Sequence, residues 1–140
     1  MKIKLREAVK HAAHLASLSK KVFPSKLSFA ISCNTEMLQK EAERAEKERL
    51  KICERYAEKD ENGKPIMLNN IVNGNKVQEY KINEEGRRAL LEEYNDLLET
   101  EVEIEIRKVN ASILEKCETA DRYTIPSVAD INAMAFMLEE

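Results

Sequence analysis

The sequence predicts an α+β fold: a long, coiled-coil-like helical hairpin with a small antiparallel sheet that includes an Asn-Gly β-hairpin. Three observations lead there. The run from Ser25 to Glu58 keeps helical spacing throughout. Asn73-Gly74 stands between the β-rich runs "IMLNNIV" and "NKVQEYKI", and Asn and Gly tolerate the positive φ of a tight hairpin turn. Finally, "MKIKL" and "EVEIEIR" alternate apolar with charged residues of opposite sign, as strands with one covered face do.

Composition agrees with a helix-rich soluble chain. Charged residues reach 35%, aromatics only 5%, and 140 residues hold just three Gly and three Pro. This length suits a single domain spanning 1–140, with room for one core. The net charge of -3 gives no case for general nucleic-acid binding, which is not expected. Charge is nonetheless segregated. Residues 1–21 carry six cations against Glu7 alone, a local +5, whereas residues 84–105 carry nine carboxylates against Arg87 and Arg88, a local −7. Cys33, Cys53 and Cys117 are odd in number and widely spaced, which suits reduced thiols better than a disulfide framework. The start "MKIKLREAVKHAAHL" has no continuous apolar stretch, so neither a signal peptide nor a membrane span is expected. An intracellular, soluble protein is the expectation.

Taken in order, "MKIKL" reads as a strand with Ile3 and Leu5 on one face. Residues 6–20 then switch to helical spacing through Ala8, Ala12, Leu15 and Ala16, until Pro24 forbids continuation. From about 25 to 58, Leu27, Ile31, Leu38, Ala45, Ile52 and Tyr56 recur at intervals of three, four or seven, while Asn34 and Arg49 occupy positions where apolar residues would fit. A rod of roughly 50 Å follows, long enough to call for a partner helix or a second copy. "KDENGKP" ends it with turn chemistry. The hairpin covers about 65–82. Asn83 is a good N-cap for a helix over about 84–99, whose Ala89, Leu90, Tyr94, Leu97 and Leu98 can pack along the long helix. A strand over about 101–109 completes a sheet with residues 1–5 and the hairpin. "NASILEKCETADRY" is ambiguous between irregular and helical. Ser127-Val-Ala-Asp130 resembles a capping box that opens a C-terminal helix over about 127–138.

No motif supplies catalytic chemistry. Glu7, His11 and His14 share one helix face, and two imidazoles with a carboxylate can hold zinc. Without an HExxH pattern, a solvated polar face accounts for them better, and no metal site is expected. "DENGK" at 60–64 echoes a calcium loop, but Lys64 stands where a ligand belongs. The cysteines lack a nucleophile motif, and one glycine in "VNGN" makes no phosphate cradle. The expectation is therefore no enzyme, no catalytic residue and no cofactor. Ile131, Met134, Phe136, Met137 and Leu138 would mainly pack in the core, with a subunit contact as the alternative.

The phrases "MKIKL", "FPSKLSFAISCNTEMLQKE", "ERYAEKDENGKPI", the polar hairpin ending "YKI", and "LLETEVEIEI" form an ordered series. That series resembles a family of small uncharacterised phage and prophage proteins of Gram-positive bacteria, catalogued as a domain of unknown function. The resemblance covers nearly the full chain, though the hairpin is longer and richer in Asn than the family pattern. It lends no site residues. It implies a viral origin and action in the bacterial host cytoplasm or the virion. Two functional expectations follow: an accessory protein that binds and modulates a host (defence) protein, or a morphogenesis protein that works with phage proteins through oligomerisation. The long helix or the C-terminal helix would supply the homo-oligomer contact.

Overall fold

The computed structural model describes residues 1–140. The fold is α+β, and its packing resolves into two compact units: Met1–Glu43 with Glu101–Glu140, and Arg44–Thr100. The elements are β1 (Lys2–Lys4), α1 (Leu5–Ala16), α2 (Ser25–Tyr56), β2 (Met67–Val72), β3 (Asn75–Tyr80), α3 (Glu84–Leu98), β4 (Glu101–Glu103), β5 (Val109–Asn110), α4 (Ile113–Thr119), α5 (Val128–Met134) and β6 (Leu138–Glu139). The long helix contributes residues to both units.

In the first unit, α1 buries Leu5, Ala8, Ala12 and Leu15, a three-four-three spacing that puts all four on one stripe. The helix stops at Ala16 rather than near residue 20, ahead of the proline. Ser17 Oγ donates to the His14 carbonyl at 2.6 Å, and Ser19 and Lys21 donate their N–H groups three residues back. Serine competing for backbone groups makes tight turns there while Leu18 still enters the core. From α2, Leu27, Ala30, Ile31 and Leu38 face the same interior, as the periodicity predicts. The segment left ambiguous by the sequence contains α4, which buries Ile113 and Cys117.

The sheet expectation needs correction. Three separate two-stranded pieces form, β1–β4, β2–β3 and β5–β6, not one sheet. The predicted strand over 101–109 pairs with β1 only through Glu103, where the Ile104 N–H reaches the Met1 carbonyl at 2.9 Å. Beyond that point Asn34 takes the Arg107 backbone instead. The predicted C-terminal helix likewise ends at Met134. A single 3-10 turn, Ala135–Met137, follows it, and Leu138–Glu139 run parallel to β5. The capping box is present: Ser127 Oγ accepts from the Asp130 N–H at 3.1 Å, and Asp130 Oδ2 accepts from the Ser127 N–H at 3.0 Å.

The antiparallel register sets Lys2 opposite Glu103, Ile3 opposite Val102 and Lys4 opposite Glu101. Each lysine of β1 thus stands opposite a glutamate of β4, while the Glu103 carboxylate is held by the Met1 ammonium at 3.0 Å. Val102 and Ile106 are half-buried and Ile104 buried, with the three glutamates outside. Reversing charge at Lys2 and at Glu103 singly should each lower stability, and the double reversal should recover about 0.2–1 kcal/mol of coupling. A double-mutant cycle in urea measures it, and zero coupling would remove the charge argument for this register.

The second unit is built from the later residues of α2, the hairpin and α3. Ala45, Ile52 and Cys53 are buried on α2 and Leu98 on α3. Asn83 caps α3 as expected, its Oδ1 accepting from the Gly86 N–H at 2.7 Å. Gly86 has no room for a side chain, since a Cβ there would lie 2.9 Å from Ile82 Cγ2 and 3.2 Å from the Tyr56 carbonyl oxygen. Arg55 on α2 pairs with Glu93 on α3 at 2.8 Å, an exposed ion pair between the two helices. Asn73 (φ 51°) and Gly74 (φ 80°) both take positive φ, the two-residue turn that matches strand twist. The 60–64 segment is a turn: Asp60 Oδ1 accepts from the N–H groups of Asn62 (2.8 Å) and Lys64 (3.0 Å).

Candidate protein-binding strand and cleft

The His11 ring stacks on Phe136, with centroids 4.1 Å apart and planes 24° from parallel. Its Nδ1 is buried without a hydrogen-bond partner. Burial holds the imidazole below its ordinary pKa, against the opposing pull of Glu7, with His14 and Lys10 adding to the lowering. A neutral ring in apolar packing follows. Glu7 and His14 do not converge with it, and no three His, Cys, Asp or Glu side chains assemble as metal ligands. Cys117 is buried, with its Sγ directed at the Ile113 carbonyl oxygen 3.8 Å away. Burial raises its pKa, so its thiolate is disfavoured. Cys53 is buried beside Arg49 Nη1 at 3.6 Å, and Cys33 is half-buried. Met134 and Met137 are fully buried, which assigns the C-terminal apolar cluster mainly to the core.

What remains is an apolar surface that the sequence reading passed over. All six residues of β2 and the first five of β3 are exposed. Among them Ile71 is 75% exposed, and Met67, Leu68, Val72 and Val77 are also outside the core. A two-stranded hairpin has little stability of its own in water, and an exposed apolar strand invites pairing.

The hydrogen-bond phase of the ladder defines which groups are available. Val72 faces Asn75 across the two-residue turn, and in such a turn the flanking pair exchanges both hydrogen bonds. Even-numbered residues of β2 therefore bond to β3. The Lys81 N–H donating to the Ile66 carbonyl at 2.8 Å keeps the same phase. Met67, Asn69 and Ile71 then direct their N–H and C=O groups to the outer edge, which no strand covers.

That edge lacks the devices that protect natural edge strands. β2, "MLNNIV", contains no charge and no proline, and it pairs residue for residue without a bulge. Its neighbour β3 carries Lys76 and Glu79, and Glu79 accepts from Asn70 Nδ2 at 3.0 Å. A cleft of about 670 Å³ adjoins the hairpin, walled by Leu50 and Cys53 of α2, Met67 and Val77 of the hairpin, and Leu90 and Leu91 of α3. Leu50 and Leu91 are 44% and 58% exposed. The cleft is mixed, with Arg49, Gln78, Glu79 and Arg87 lining it beside the apolar groups; Arg49 is engaged by Glu46 at 2.6 Å.

No family model, curated protein or solved structure matches the chain. No helix is long and apolar enough to cross a membrane.

The sequence signals for this surface were present but read only as a hairpin. "MLNNIV" contains neither the charge nor the strict alternation of a strand with one solvated face. Such a strand calls for a cover on the faces or edge that its own chain leaves open.

Proposed function

We propose that the chain is a non-enzymatic protein-binding module that captures a partner's extended segment along the outer edge of β2. The observation that carries this reading is the uncharged, bulge-free edge of β2, with Met67, Asn69 and Ile71 offering backbone donors and acceptors. An added strand gains main-chain hydrogen bonds from such an edge, and apolar side chains beside it supply specificity. Leu50, Val77 and Leu91 in the adjoining cleft are suited to take apolar side chains of the same partner. The partner strand must be low in charge, because β2 offers no countercharge. The resemblance to phage and prophage proteins suggests the setting, namely a bacterial host cytoplasm with a host protein, such as a defence component, as the partner.

A neutral edge also meets no repulsion from its own copy. That feature favours, as a second reading, oligomerisation through β2 in a phage assembly role.

The Asn69→Pro variant separates edge binding from fold. It removes an outward N–H while leaving the bonds to β3, so the circular dichroism spectrum and melting temperature should change little. Affinity capture from host cells, with light scattering on the purified protein, provides the readout. Wild type should retain a discrete partner, or in the second reading a dimer, that the variant loses. A monomeric protein that retains nothing, or a partner held equally by Asn69→Pro, overturns the reading.

A further inference from the structure

Two clefts in the first unit, of about 410 and 490 Å³, share Lys26, Ile113 and Lys116 and so form one continuous groove. Its cations come from four places in the chain: Lys26 on α2, Arg107 and Lys108 ahead of β5, Lys116 on α4, and Arg122 after it. No carboxylate lines either cleft. None of the five cations enters an ion pair, and all are exposed. This is unusual in a chain where acids outnumber bases. Five like charges around one concavity repel each other, and a bound polyanion relieves that repulsion.

Two aromatic rings belong to the same groove. Phe29 is 58% exposed, with Arg107 Cζ 5.0 Å from its ring centroid. Tyr123 is half-buried, with Arg122 Cζ 4.7 Å from its centroid. An exposed phenylalanine contributes nothing to the core here, but a π-face beside a guanidinium is a stacking platform for a nucleobase. The combination of a cationic track with an exposed and a half-exposed ring, each facing a guanidinium on one side, distinguishes the ligand classes. An acidic peptide satisfies the lysines and leaves the rings unused, and a duplex keeps its base faces hidden.

We propose that this groove binds single-stranded nucleic acid, with phosphates along Lys26, Lys116, Arg107, Lys108 and Arg122 and bases on Phe29 and Tyr123. It is a site separate from the β2 edge and does not depend on the reading given there. The net charge gives no case for general nucleic-acid binding, and the basic run at residues 1–21 holds no Phe, Tyr or Trp. The groove draws none of its cations from that run.

Fluorescence anisotropy with a labelled oligothymidylate of about 12 nucleotides tests the proposal. Affinity should fall steeply with salt, log K against log salt having a slope of roughly −3.5 for five phosphate contacts on a single strand. Phe29→Ala should weaken binding about tenfold. The paired Lys26→Glu, Lys116→Glu variant should weaken it further and flatten the salt slope. Both substitutions lie on exposed positions, and circular dichroism verifies the fold. Three results overturn the proposal: no salt-sensitive binding by wild type, equal affinity in all variants, or tighter binding of oligoglutamate with no effect of Phe29→Ala. The last result would assign the groove to an acidic peptide.

Discussion

Asn34→Leu should destabilise the protein by about 1–3 kcal/mol, although it replaces a polar residue with an apolar one in the middle of an apolar helix stripe. Asn34 is fully buried. Its Oδ1 accepts from the Arg107 N–H at 2.8 Å and its Nδ2 donates to the Arg107 carbonyl at 3.0 Å, so the amide imitates a strand neighbour for that residue. Nδ2 also lies 3.5 Å from Met137 Sδ. Leucine has similar volume but satisfies neither backbone group, and each such group left unpaired in a buried setting costs about 1–3 kcal/mol. Hydrophobic transfer of leucine, about 1.5–3 kcal/mol, offsets part of that cost. Urea unfolding gives the energy, and amide exchange at Arg107 should accelerate in the variant. A leucine variant as stable as wild type would show that the clamp is dispensable.

Asp130→Ala is the second large effect, about 1–3 kcal/mol, combining a lost N-cap partner with a broken, partly exposed ion pair. Asp130 Oδ2 takes both the Ser127 N–H at 3.0 Å and Lys21 Nζ at 2.9 Å. The Ser127 N–H is the largest cause of a pKa held below the ordinary aspartate value. Burial opposes it, and Lys21 adds to the lowering. The sign for stability follows: a carboxylate stabilised in the fold contributes above its unfolded pKa of about 3.9, and that contribution is lost as pH falls through the lower folded value. The difference between wild type and Asp130→Ala should therefore be full at neutral pH and shrink in strong acid. His11 acts earlier on the same axis. Because burial lowers its pKa, protonation below about 6.5 also works against the fold. A wild-type advantage that stayed constant into strong acid would contradict the assignment of Asp130 as an ionised, paired carboxylate.

These two residues show where sequence reasoning reaches and where it stops. Asn34 stands out as a polar residue at an apolar position, and the Ser127–Asp130 spacing reads as a cap, because both signals are local. Local signals also placed α2, the Asn-Gly turn and the Asn83 cap. Their partners were not legible. Arg107 lies 73 positions from Asn34 and Lys21 lies 109 from Asp130, and no periodicity links such pairs. The same limit hid the parallel β5–β6 pairing and ended the 101–109 strand early, since both depend on which distant backbone takes the hydrogen bonds. It also dispersed the basic groove, whose cations come from residues 26, 107, 108, 116 and 122. The acidic alternation of "EVEIEIR" was legible in another sense: its glutamates lie on the outside of a short closing strand opposite β1.

The central claim is that the outer edge of β2 is a partner surface. Site-specific photo-crosslinking from position 71 tests it most directly, because Ile71 is 75% exposed and its backbone faces that edge. Expressed in host cells, the protein should yield one discrete crosslinked species from position 71, none from the exposed Gln39 of α2, and none from position 71 once Asn69→Pro is introduced. Diffuse labelling equal at both positions, or a discrete species that survives Asn69→Pro, would contradict the claim.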